Sequence, residues 1–333
     1  MQKPLASAAL AAAALLALAG CSAPTAPTPL ATEGDGRIQV VASTNVYGSL
    51  AAQIGGDRVD VTSIITSATQ DPHSYEATAR DRLAVERAAL VIENGGGYDA
   101  FIDTLIGDGG DQRVVTAVEH SHAHPGDEGH DAEAAHDHGS HEGHDHGAEE
   151  GHEGHGHIEG FNEHVWFDPH TMIHVVEEIS AELAELDPQG TADFTNNAAT
   201  LTAQLEGFEK ELETLKSEVG GAEVVITEPL PGYLAEAAGL VDVTPQGFAA
   251  AAEEGTDVAP ATLLATLDVI GNGQVRALLT NAQTGGAETQ RVEEAATAAG
   301  IPVVAFTELL ADGSSYSEWM SAAIKSLADA LRS

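Results

Sequence analysis

"RIQVVASTNVYGSLAAQIGGDRVDVTSII" (Arg37–Ile65) sets a β-branched run on either side of an alanine-rich stretch that stops at paired glycines. Arg37–Thr44 reads as a strand, because valine and isoleucine suit a pleated, half-buried surface. The stretch from Val46 to Gly56 reads as a helix ended by its glycines, and Val59–Ile65 as a second strand. A parallel pair needs a crossover of this kind, usually helical. The pattern continues outward. Ala79–Ala89 is helical, "LVIEN" a strand, "YDAFIDTLIG" a helix and "RVVTAV" a strand. Alternation of this type predicts an α/β fold with a parallel sheet covered by helices.

Further along, Asp168 reads as an N-cap with Pro169 at the first helical position. From Pro188 to Glu218, the spacing of Phe194, Leu201, Leu205, Phe208, Leu212 and Leu215 predicts one long helix. Strand–helix alternation then resumes, from "EVVIT" to a terminal "SYSEWMSAAIKSLADALR". The predicted organisation is an α/β lobe over 37–187, a linking helix over 188–218 and a second α/β lobe over 219–333. No short internal repeat is present.

The chain of 333 residues carries a formal charge of −40. Nucleic-acid binding requires a basic surface, so no nucleic-acid partner is expected, whereas cations are attracted. Twelve of the sixteen histidines fall within residues 120–157, a stretch without lysine or arginine. They are His120, His122, His124, His130, His136, His138, His141, His144, His146, His152, His155 and His157. With no apolar face, this stretch is expected to be disordered when free, and to collect metal through many weak sites.

Lys3, the apolar run Ala8–Leu18 and "LAGC" (Leu18–Cys21) read as an export leader over residues 1–20. The stretch resembles a bacterial lipoprotein lipobox, which implies lipid on Cys21, the single cysteine, and a flexible tether over 21–36. One cysteine also excludes an internal disulfide.

Ligands of parallel sheets sit beyond the carboxyl ends of strands. The polar groups placed there are His73 in "TQDPHSYEA", Glu228 in "VVITEPLPGY", and Asn281 and Gln283 in "ALLTNAQTGG". His164 in "NEHVWFDP" stands between the histidine-rich stretch and a helix start. Each has an ordinary structural explanation singly, as a turn cap or a solvated loop group. Together, two imidazoles and a carboxylate suit a divalent ion of the zinc or manganese type. His170 and His174 stand four apart on a predicted helix, but without an H-E-x-x-H glutamate they read as a surface coincidence. "ENGGGYD" (Glu93–Asp99) reads as a turn and not a phosphate loop.

The blocks "VVASTNVYGSLAAQIGGDRV", "DPHSYEAT", "VIENGGGYDAFI", "NEHVWFDP", "DPQGTADFTNNAATLTAQLEGFEKEL" and "GIPVVAFTE" resemble the metal-binding receptors of bacterial ABC importers for zinc and manganese. The resemblance runs from about Ile38 to the C-terminus and implies two parallel-sheet lobes joined by one long rigid helix, with the metal between them. It places His73 and His164 at two ligand positions and Glu228 where zinc-specific members usually carry a third histidine. A glutamate there is similar to the manganese-type arrangement. No carboxylate stands at the matching place in "TNAQTGGAE", so Asn281, Gln283 or water is left as the fourth donor. The resemblance implies a monomeric receptor on the extracytoplasmic face of the cell membrane, lipid-anchored through Cys21, that delivers Zn2+ (alternatively Mn2+) to an ABC permease and its ATPase subunits. The competing readings are a zinc hydrolase with a His₂Glu ligand set, which lacks an evident general base, and a metal buffer acting through the histidine-rich stretch.

Overall fold

The computed structural model describes residues 36–67, 69–107, 112–125, 158 and 160–333. The leader, Cys21, all but the last residue of the tether and the histidines from His130 to His157 lie outside the described residues.

The first half contains β1 (Ile38–Thr44), α1 (Asn45–Gly55), β2 (Val59–Ile65), α2 (Ala79–Arg87), β3 (Leu90–Glu93), α3 (Phe101–Ile106), β4 (Arg113–Thr116) and α4 (Pro169–Leu186). Its strands form a parallel sheet in the order β2-β1-β3-β4. β1 and β3 are buried almost throughout, as expected for strands covered on both faces. At the start of α4, Asp168 caps the backbone N–H of His170, with Pro169 behind it.

The linking helix α5 (Thr191–Val219) starts three residues later than predicted. The reason is local: Asp187 accepts from the backbone N–H of Gln189 and Gly190 and holds Pro188–Gly190 in a turn. Along α5 the buried residues are Phe194, Ala198, Leu201, Leu205, Phe208, Leu212 and Leu215. Steps of four and three alternate without interruption, so one unbroken apolar stripe faces the protein.

The second half contains β5 (Glu223–Ile226), α6 (Gly232–Ala237), β6 (Val241–Asp242), α7 (Phe248–Glu253), α8 (Pro260–Gly271), β7 (Ala277–Asn281), α9 (Ala287–Ala298), β8 (Val303–Phe306) and α10 (Tyr316–Arg332). Its sheet is again parallel, in the order β6-β5-β7-β8. Both halves therefore repeat one topology, with the strand order reversing between their first and third strands. In such sheets the crevice beyond the strand carboxyl ends at the reversal is where ligands lie.

The halves are tied together by more than α5. One apolar core runs from β1, α1 and α4 through α5 to β5, β7 and α10. Phe167 stacks on Trp319 at 4.7 Å and meets Phe306 edge-on at 5.8 Å. The segment after β8 reaches back into the first half. Leu309 is buried with Val41, Ile65 and Phe101, and Leu310 exchanges two hydrogen bonds of 3.0 Å with the side chain of Asn45.

Candidate metal site

His73 sits in a 3-10 turn, Pro72–Ser74, shortly after β2. Asp71 shapes that turn by accepting from His73 N at 3.0 Å and from Ser74 Oγ at 2.7 Å. Tyr98 offers its ring to the imidazole edge-on at 4.9 Å.

His164 is buried immediately before the 3-10 turn Val165–Phe167. Asn162 fixes its ring. The amide Nδ2 of Asn162 donates to Pro229 O at 3.0 Å, which turns Oδ1 towards His164 Nδ1 at 2.7 Å. An N–H at Nδ1 leaves the lone pair on Nε2, the arrangement a metal-binding imidazole needs. That Nε2 faces Glu253 Oε1 at 3.6 Å, too far for a hydrogen bond and close to the spacing of two donors on one ion.

His73, His164 and Glu253 each present a ligand atom within 4.8 Å of the others. Glu253 ends the six-residue helix α7, and sequence reasoning missed it, since nothing in "GFAAAAEEG" marks a metal ligand.

Glu228, the expected third donor, follows β5 and is buried in the same cleft. Its Oε2 accepts from Asn281 Nδ2 at 2.9 Å and from Thr284 Oγ1, while Oε1 is buried without a hydrogen-bond partner. The structure does not group it with the two histidines as tightly as Glu253.

Glu308, also missed, lies just past β8 in the place where the strand-end rule looks, and "AFTE" shows it. Its Oε1 accepts from Asn281 Nδ2 at 2.7 Å and its Oε2 from Tyr98 Oη at 3.1 Å. The two expected amide donors therefore hold other posts. Asn281 turns its NH₂ to both carboxylates while its Oδ1 accepts from Gln283 N at 2.9 Å. Gln283 Oε1 accepts from the backbone N–H of Glu308 at 2.6 Å and of Leu309 at 3.1 Å. Both amide oxygens accept from backbone N–H groups.

The electrostatics favour a cation. Burial first, then the charges of Glu163, Glu228 and Glu308, push the Glu253 carboxyl up to about 8. Burial raises Glu308 to about 7, against the lowering effect of hydrogen bonds from Asn281 and Tyr98. Burial likewise raises Glu228, with hydrogen bonds from Thr284 and Asn281 opposing. Carboxyls that resist ionisation beside one another lose that resistance when a divalent ion neutralises them. The orphaned Glu228 Oε1, the oriented His164 Nε2 and the His₂-carboxylate chemistry all fit zinc or manganese.

A sequence profile described as ZnuA, zinc-uptake complex component A, periplasmic, matches residues 40–330. The chain belongs to the ZnuA family. ZnuA-family relatives include the zinc-binding protein AdcA of Streptococcus pyogenes, 25% identical over 230 residues, which cover 66% of this chain and 41% of AdcA. The manganese-binding lipoprotein MntA of Halalkalibacterium halodurans is 26% identical over 227 residues, 68% of this chain and 65% of MntA. The chain thus spans less than two thirds of the length of either. The two-lobe α/β fold of the ZnuA family is shared with the periplasmic zinc-binding protein TroA of Treponema pallidum, at a TM-score of 0.68 and 19% identity over 89% of this chain and 99% of TroA.

Proposed function

We propose that this protein is an extracytoplasmic zinc receptor that hands Zn2+ to an ABC permease with its ATPase subunits, and that it has no catalytic role. The observation that carries the reading is the convergence of ligand atoms of the buried His164 and the half-buried His73 and Glu253 within 4.8 Å. Glu228 or Glu308, both held by Asn281, supplies a fourth donor when the ion enters. Here zinc is the cargo. Two imidazoles and one carboxylate around a small volume suit a tetrahedral ion. The ZnuA description points the same way.

Manganese is the second reading, favoured by one observation: three glutamates crowd the cleft, and hard oxygen donors suit manganese. The lipoprotein name of the MntA relative supports a lipid anchor at Cys21 after removal of residues 1–20; a tether over 21–36 and a monomeric receptor complete the proposal. Among the described residues no helix is long and apolar enough to cross a membrane.

The histidine-rich stretch is read as a metal collector feeding this cleft. His124, near the end of the described part of that stretch, packs edge-on at 5.6 Å against Phe161, three residues before His164. The described part of the stretch therefore stands beside the segment that carries His164.

Competition titration of the metal-stripped full chain against a chelator of known affinity tests the reading. The tightest zinc site weakens at least ~100-fold in His164→Ala and Glu253→Gln, since loss of an outer partner alone costs ~10–100-fold. Unchanged zinc affinity in both variants would overturn the site, and tighter binding of manganese than zinc would overturn the metal.

A further inference from the structure

His170 and His174 read from sequence as a surface coincidence, and the fold gives them company. They occupy one face of the first turns of α4, with ring centroids 5.2 Å apart. Two imidazoles on one tetrahedral zinc hold their rings at about this separation, given Zn–N bonds of about 2 Å. His122, on the segment after β4, brings a third ring to 6.5 Å from His170. His120 joins the same patch.

The orientation of the rings is the informative part. His170 Nδ1 faces Glu209 Oε1 on α5 at 3.3 Å. His174 Nδ1 faces Glu177 Oε2 at 3.5 Å, and His122 Nδ1 faces Asp168 Oδ2 at 3.8 Å. All three imidazoles have Nδ1 on the side of a carboxylate, and the His170–Glu209 pair is within hydrogen-bond distance. Carboxylate–histidine–metal relays have this form, in which the carboxylate fixes the tautomer and makes the outward nitrogen more basic. Three exposed histidines facing three carboxylates in one orientation, on one patch, is more than helical spacing supplies.

We propose that His122, His170 and His174 bind a second divalent ion of the zinc type on the exterior of the first half, through their Nε2 atoms, with Glu209, Glu177 and Asp168 as orienting partners. The exposed ring of His122 (64% accessible) swings inward to close the shell, which water completes. This site is distinct from the buried one. His164 and His170 are six residues apart in the chain, so at most ~20 Å separates the two positions, with the buried turn Val165–Phe167 between them. An ion held here stands at the point where the histidine-rich stretch leaves the fold.

Carbethoxylation of the full chain by diethylpyrocarbonate, read histidine by histidine by peptide mass spectrometry along a titration with zinc alone, tests the proposal. Near ten times its Kd a site is about nine-tenths filled, so labelling of His170 and His174 falls about tenfold, and both follow one curve. In His170→Ala the protection of His174 moves to at least ~10-fold higher zinc, and Glu209→Gln moves it in the same direction. Both substitutions are at exposed positions that the core does not use. In His164→Ala the protection of His170 and His174 persists, which separates this site from the buried one. Equal labelling with and without zinc overturns the proposal, as does His174 protection that is unchanged by His170→Ala.

Discussion

Glu93 ends β3 with its carboxyl buried, accepting from Thr116 Oγ1 at 2.8 Å. Burial, then the charge of Asp99, raises it from an ordinary 4.5 to about 8. Between those values the unfolded chain has lost its proton and the folded chain keeps it. Stability from the neutral buried carboxyl is thus complete below about 4.5 and is lost as pH rises through about 8. Urea unfolding of metal-stripped protein should show stability falling from pH 5 to pH 8. Glu93→Gln, which keeps the acceptor, should remove roughly 1–2 kcal/mol of that fall; an unchanged pH slope would refute the burial argument. At this scale the sequence was legible where a residue stands next to a strand end, as His73 and Glu228 do. Glu308 obeys the same rule, two residues past β8, in "AFTE". Glu253 was not legible: only the packing of α7 brings it to His164. Asn281 and Gln283 stand at the end of β7 as expected, and the hydrogen bonds their amides make depend on neighbours from other strands.

Among the elements, α5 was the most legible, because its apolar residues alternate by four and three over 29 residues. Leu205 lies mid-stripe and is 1% exposed. Leu205→Ala should therefore destabilise by ~2–5 kcal/mol, the usual range for a buried leucine whose cavity cannot collapse. Chemical denaturation measures this, and a loss below 1 kcal/mol would mean that the stripe is not a packed seam. The boundaries were less legible. "YDAFIDTLIG" begins its helix only at Phe101, because the Asp99 carboxylate accepts from the N–H groups of Asn94 and Gly95 and holds the chain in a loop. The glycine turn expected at "ENGGGYD" is present, with positive φ at Gly95, Gly96 and Gly97. α7 carried no heptad-like signal in its six residues, and with it went the third donor.

For the whole molecule, the two-lobe α/β plan was readable from alternation, a long helix and alternation again. The return of the chain was not. Nothing in "SYSEWMSAAIKSLADALR" announces that Tyr316 donates to Trp166 O at 2.8 Å across the molecule, or that its backbone N–H meets Ser49 Oγ at 3.0 Å. Those contacts join one face of each sheet into a shared apolar core, while the other faces keep clusters of their own. The consequence is thermodynamic. Proteins of two lobes commonly melt in two steps, each lobe with its own midpoint. Here neither sheet can lose its packing while the other keeps its own, because α5 and α10 line both. Scanning calorimetry of the metal-free protein should show one endotherm, with calorimetric and van't Hoff enthalpies equal. A destabilising change in either half would then lower the same melting temperature, and a cation captured between the sheets would raise it for the entire chain.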